Sequence, residues 1–235
     1  MKASIITIRR EATRLRRLVV VACVALPLMA TSADARGMVD SAAIAHRLTG
    51  LKGGPSGPAL NAALAAYAEA TNQGAVARPD LLTVIDYTRP STEPRLWVLD
   101  LQRGCVLYRE LVAHGKHSGE NITRAFSNAE GSLMTSLGLF VTDTSYVGSN
   151  GYSLRLRGLD PGINDKAYAR AIVMHGAAYV SQAIADKLGR LGRSWGCPAV
   201  RSDIARKLID TIKGGTAIYA YGGPAAEAAS RNAAN

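Results

Sequence analysis

Gly192-Arg193-Ser194-Trp195-Gly196-Cys197-Pro198-Ala199-Val200 holds the densest chemical information in the chain. A cysteine framed by glycine and proline belongs on a constrained turn rather than inside a helix. Gly196 admits backbone dihedrals that other residues avoid. Pro198 fixes φ and has no N–H to donate. An oxyanion hole at this turn must therefore use the N–H of Cys197 itself or of the residues before it, Gly196 or Trp195.

A thiol needs a base or a cation beside it to become a thiolate. The chain has four histidines: His46, His114, His117 and His175. His175 ends an apolar run and precedes Gly176, which makes it the best candidate for the base. His46 lies in the N-terminal segment and reads as a surface residue. His114 and His117 lie in Ala113-His114-Gly115-Lys116-His117-Ser118-Gly119, a glycine-rich loop of the kind that lines sites. Their H-x-x-H spacing, with His175 as a third ligand, raises the alternative of a zinc peptidase. It lacks the His-Glu-x-x-His helix logic, and Gly115 makes the segment a poor helix. Cys105 reads as a small hydrophobe within a strand, and Trp97 as core.

Outward from the cysteine, short β-like runs dominate. Leu81–Asp86, Leu96–Leu101, Cys105–Ala113, Leu139–Thr144, Ser153–Leu159, Ala171–His175 and Thr216–Tyr221 are the predicted strands, with Gln102-Arg103-Gly104 as a hairpin turn. Helices are predicted from Ala59 to about Thr71, over Ser181–Leu188, and after Ser202 as N-cap, the last facing Ile204, Leu208, Ile209 and Ile212 inward until Gly214-Gly215 ends it. The sum is an α+β fold, mostly β with a few peripheral helices. The organisation expected is a signal peptide over 1–35, a linker and helix over 36–80, a catalytic domain over 81–222 and a disordered Ala-rich tail over 223–235.

The pairing of His175-Gly176 with Ser194-Trp195-Gly196-Cys197 resembles the signature of the L,D-transpeptidase catalytic domain, the YkuD-like family, and its murein L,D-transpeptidase branch in particular. Val112-Ala113-His114-Gly115, Phe126-Ser127-Asn128, Ser136-Leu137-Gly138, Asn164-Asp165-Lys166-Ala167 and Arg190-Leu191-Gly192-Arg193-Ser194 extend the likeness over about Leu81 to Tyr221. The resemblance implies a β-rich fold with Cys197 as nucleophile, His175 as general base and the Gly176 carbonyl holding the imidazole. It implies peptidoglycan stem peptides as partners. Cys197 would form a thioester with a stem tetrapeptide, release the terminal D-alanine and pass the acyl group to an amine in a 3→3 cross-link. Water as acceptor would make an L,D-carboxypeptidase. No cofactor or metal is called for, because the thioester stores the acyl energy. Two departures stand out: Trp195 replaces a usual second His, and Ala199 replaces a common Arg. Arg193 or Arg201 is then the candidate for the substrate carboxylate, with His114 and Ser194 as further substrate contacts. A wall-binding module without catalysis is the remaining alternative.

The termini and composition set the setting. Lys2, Arg9, Arg10, Arg14, Arg16 and Arg17 precede an apolar run from Leu18 to Met29, and Ala33-Asp34-Ala35 supplies a small-x-small cleavage pattern, as in a secretory signal. The run is about a dozen residues, short of the ~20 that a spanning helix needs, so no stable membrane span is expected after cleavage. Loss of residues 1–35 would lower the net charge from +10 to +6. That balance suits an anionic setting such as a periplasm or cell envelope. No aromatic-interleaved basic motif points to nucleic acid.

Overall fold

The computed structural model describes residues 40–48, 50–51 and 53–234; the expected signal peptide lies outside them. The elements run α1 (Ser41–Leu48), α2 (Gly57–Asn72), β1 (Leu81–Asp86), β2 (Leu96–Asp100), β3 (Cys105–Glu110), β4 (Val112–Ala113), β5 (Gly138–Gly148), β6 (Gly151–Gly158), β7 (Val173–Ala177), α3 (Gln182–Leu188), β8 (Ala199–Arg201), α4 (Ser202–Ile212), β9 (Ala217–Tyr221) and α5 (Pro224–Ala234). The fold is α+β. The strands form one nine-stranded sheet in the order β3-β2-β1-β9-β5-β6-β7-β8-β4. The β1–β9 and β7–β8 pairs are parallel and the others antiparallel.

Alternation divides the core between the two faces of the sheet. Leu81 and Ile85 of β1, with Ile218 and Ala220 of β9, join Leu208, Ile209 and Ile212 of α4 on one side. Leu82 and Val84, with Ala217 and Tyr219, join Ala63, Leu64 and Tyr67 of α2 on the other. Covered on both faces, β1 is buried along its whole length. Trp97 is buried and its indole N–H donates to the Gly53 carbonyl at 2.7 Å.

The helices follow their local signals with two differences. Ser56 caps α2 by accepting from the Ala59 N–H, and a proline sits in its first turn. Ser181 caps α3 through the Ile184 N–H. Ser202, expected as an N-cap, is instead the first residue of α4; Arg201 holds the cap position without a side-chain bond. Asp203 in that first turn complements the positive end of the helix. The tail expected to be disordered forms the helix α5 over Pro224–Ala234. Alanine is the best helix former, and the Tyr219 hydroxyl donates to Glu227 at 2.9 Å, tying α5 to β9. Among the described residues no helix is long and apolar enough to cross a membrane.

Candidate active site

Parallel pairing of β7 with β8 brings the two sequence signals together. His175 pairs with Ala199, and Cys197 lies two residues before Ala199 on the turn that enters β8. On the other edge of β7, Val173 pairs with Arg155 and His175 with Ser153. The Val173 N–H donates to Cys197 Sγ at 3.5 Å, and the thiol donates to the Ala171 carbonyl at 3.7 Å. Val173 and His175 are two residues apart on one strand and so share a face. The strand that carries the imidazole therefore also supplies, through the Val173 N–H, a backbone contact to the sulfur.

His175 Nδ1 lies 2.9 Å from the Gly176 carbonyl. A carbonyl only accepts, so Nδ1 carries the proton and neutral His175 presents a bare Nε2. Gly176 has no room for a side chain, because a Cβ there would approach Ala205 Cβ of α4 to 2.9 Å. Burial lowers the His175 pKa, and the Gly176 hydrogen bond opposes it. Burial raises the Cys197 thiol pKa, and the Val173 N–H and the Arg170 charge pull it partly back. His175 is 5% and Cys197 8% exposed. Among the described residues Cys105 and Cys197 are free thiols, and Cys105 lies half-buried in β3, away from the turn.

Ser194 organises the turn rather than facing a ligand. It is buried, its hydroxyl donates to the Cys197 carbonyl at 2.6 Å, and it accepts from the Gly196 N–H at 3.1 Å. The Gly196 donor is thus engaged. The Cys197 N–H lies against its own sulfur. Gly196 has φ +122°, and a Cβ there would meet the Met134 carbonyl at 2.8 Å. The Trp195 side chain is 74% exposed beside this turn.

The other predicted substrate contacts are committed elsewhere. His114 is 1% exposed. Arg95 Nη2 donates to its Nδ1 at 2.8 Å, so its Nε2–H donates to the Gly119 carbonyl at 3.2 Å. Neither ring nitrogen is left for substrate or metal. Burial, then the Arg95 charge, lowers the His114 pKa to about 4. His117 turns to the Ser132 carbonyl at the surface. Among the described residues no group of three or more His, Cys, Asp or Glu side chains is placed to hold a metal ion. Arg193 bonds the Lys116 and Gly119 carbonyls and Glu120, bracing the loop after β4. Arg201 pairs with Glu110 and Asp203. His46 is exposed, as expected.

Three residues at the site carry no sequence signal. Arg170 donates to the Ser127 carbonyl, Ser136 Oγ, Ser132 Oγ and the Met134 carbonyl, so it staples the 127–136 segment beside the cysteine turn. Tyr87 and Tyr179 lie within electrostatic reach of the thiol. Both phenols are pushed up to about 12, by burial first. Their partners are remote in sequence, and no spacing rule could have joined them.

A family model described as the L,D-transpeptidase catalytic domain matches residues 54–221. The match includes α2, which lies before the expected boundary at residue 81. No curated protein matches. Among solved structures, an L,D-transpeptidase from Mycobacterium smegmatis is 16% identical with a TM-score of 0.38; the match covers 60% of this chain and 58% of that one. L,D-transpeptidase 1 from Mycobacterium tuberculosis is 16% identical, with a TM-score of 0.34 and coverage of 61% and 62%. The L,D-transpeptidase (residues 123–326) from Xylanimonas cellulosilytica is 17% identical, with a TM-score of 0.37 and coverage of 64% and 69%.

Proposed function

The chain belongs to the L,D-transpeptidase catalytic domain family, and on that footing we propose that it is an exported, cysteine-dependent acyltransferase acting on peptidoglycan stem peptides in the periplasm or cell envelope. The observation that carries the mechanism is the 2.9 Å contact of His175 Nδ1 with the Gly176 carbonyl. It leaves Nε2 as proton acceptor, on the strand whose Val173 N–H also contacts Cys197 Sγ.

In the proposed reaction Cys197 Sγ attacks the carbonyl that precedes the terminal D-alanine of a stem tetrapeptide. The thiol proton passes to His175 Nε2, and the carbonyl π electrons move to oxygen. The Cys197 N–H, which at rest lies against the sulfur that attacks, is the proposed donor for that oxyanion, since Gly196 serves Ser194. Collapse breaks the C–N bond, and His175 returns its proton to the departing amine. A thioester remains. A side-chain amine of a second stem then attacks it, loses a proton to His175 and restores the thiol. The product is a 3→3 cross-link. No step needs an oxidant or a cofactor. Export is supported by the basic, apolar and small-x-small order of residues 1–35.

Mass spectrometry of the protein after incubation with tetrapeptide muropeptides tests the reading. Expected are an acyl adduct on Cys197, free D-alanine and a dimeric muropeptide. An adduct with only tripeptide product would identify water as the acceptor. Peptide bound with neither adduct nor product would sink the proposal and leave a wall-binding module.

A further inference from the structure

The cross-strand register extends the active-site face beyond β7. Tyr146 of β5 pairs with Ser153 of β6, and Ser153 with His175, so the three side chains stand in one row on one face. One step along, Arg155 pairs with Val173, whose N–H bonds the Cys197 sulfur. Neighbouring strands lie about 4.8 Å apart, so Arg155 springs from the strand next to that contact. Its guanidinium carbon lies 4.4 Å from the Tyr146 ring centroid and 5.5 Å from that of Tyr168. Tyr168 comes from the segment that leads to Ala171, the acceptor of the Cys197 thiol. One ring thus comes from β5, on the far side of β6, and the other from the segment that carries the thiol's acceptor.

The cation so held is uncommitted. Arg193, Arg201 and Arg170 spend their donors on Glu120, Glu110 and the 127–136 segment respectively. Among the described residues no hydrogen bond or ion pair engages the Arg155 guanidinium. Ring contacts occupy the faces of a guanidinium and leave its in-plane N–H groups directed outward. That is the arrangement for bidentate capture of a carboxylate. Stacking also fixes the planar group beforehand, which reduces the entropy lost on binding.

We infer that Arg155, clamped between Tyr146 and Tyr168, binds the terminal carboxylate of the acyl-donor peptide. The assignment to a peptide rests on the proposed acyltransfer; the anion site itself does not. In a donor cleaved one residue from its end, the terminal carboxylate lies within a single residue length, about 3.5 Å, of the reacting carbonyl. The carboxylate must therefore sit close to Cys197, and Arg155 stands on the strand beside Val173, whose N–H contacts that sulfur.

The test uses Arg155→Gln and Arg155→Lys with two tetrapeptides, one ending in a free acid and one in an amide, and with two alkylating agents, iodoacetate and iodoacetamide. In Arg155→Gln, KM for the acid should rise about tenfold to a hundredfold, the loss of a charge-assisted bidentate contact. Expected alongside are an unchanged KM for the amide, kcat within about twofold and an unaltered iodoacetamide rate, with partial recovery in Arg155→Lys. Equal effects on acid and amide, or none on either, would overturn the assignment. If neither peptide is turned over by the unaltered protein, the acyltransfer reading fails. A selective fall in the iodoacetate rate of Arg155→Gln would then still uphold the anion site, and equal slowing of both agents would refute it.

Discussion

At the scale of single residues, the proposed nucleophile Cys197 is held in its protonated form. Burial raises the Cys197 pKa and lowers that of His175, so near neutral pH the pair rests as thiol and imidazole rather than thiolate and imidazolium. In the proposed reaction proton transfer then belongs to the attack itself, and His175 has to be present when it happens. His175→Ala should reduce turnover by about 10²–10⁴-fold, the usual worth of a general base, with little change in melting temperature. Stopped-flow turnover paired with thermal melts checks this, and retained activity would remove His175 from the mechanism. Iodoacetamide labelling of Cys197 should rise with pH, with its midpoint above the ordinary cysteine range; a midpoint below that range would mean a resting ion pair. Cys197→Ser should fold normally and neither label nor turn over, because a serine hydroxyl is far harder to ionise than a thiol at neutral pH.

At the scale of elements, the site depends on a segment with no regular structure. Residues 127–136 pass the cysteine turn, and the four donor contacts of Arg170 fix their course. Arg170→Gln cannot reproduce the fork and should cost about 2–3 kcal/mol, since hydrogen bonds to a charged donor are worth more than neutral ones. It should also speed amide exchange across 127–136 while α2 and β1 stay protected. Hydrogen-exchange mass spectrometry separates these outcomes, and uniform loss of protection would mean that Arg170 only stabilises the whole domain. The same contrast explains what could be read from sequence. β1 was legible to the residue because a short, nearly continuous apolar run is a local property, set by two buried faces and bounded by a turn at each end. β8 has only three residues, and its strand character exists through β7 and β4, so nothing in Ala199-Val200-Arg201 announces it. The α5 helix was missed because polar and alanine-rich composition suits both disorder and helix; a tertiary bond from Tyr219 accompanies the helical outcome. Cys197 and His175-Gly176 were visible as local motifs. Arg170 and Arg155 were not, because their meaning lies in partners dozens of residues away or across a strand register.

At the scale of the whole molecule, the interior contains a guanidinium to which no carboxylate among the described residues is bonded. Arg95 is fully buried and donates to the Val112 and Arg89 carbonyls, Thr123 Oγ1 and His114 Nδ1, with the Tyr87 ring 5.1 Å away. Its charge is dispersed over neutral acceptors, and His114 can be one of them only while its Nδ1 is bare. Burial and Arg95 hold the folded pKa of His114 at about 4, against ~6.5 in an unfolded chain. Between those values the unfolded chain binds a proton that the native chain refuses, so this histidine makes stability fall as pH drops from about 6.5 to about 4. The full effect is about 3 kcal/mol. His175, also lowered, acts in the same direction. Asp160 and Glu227, raised by burial, act in the opposite one, favouring the native state as pH falls. Only the difference between the unaltered protein and a non-titrating variant isolates His114. His114→Gln can still accept from Arg95 through its carbonyl and donate through its amide. Urea unfolding at pH 7, 5.5 and 4 should show the unaltered protein losing more stability than His114→Gln, the gap growing steadily to about 3 kcal/mol. Parallel loss in both proteins would mean that the buried Arg95–His114 pair accommodates the second proton, and that the acid limit of this fold is set by its carboxylates instead.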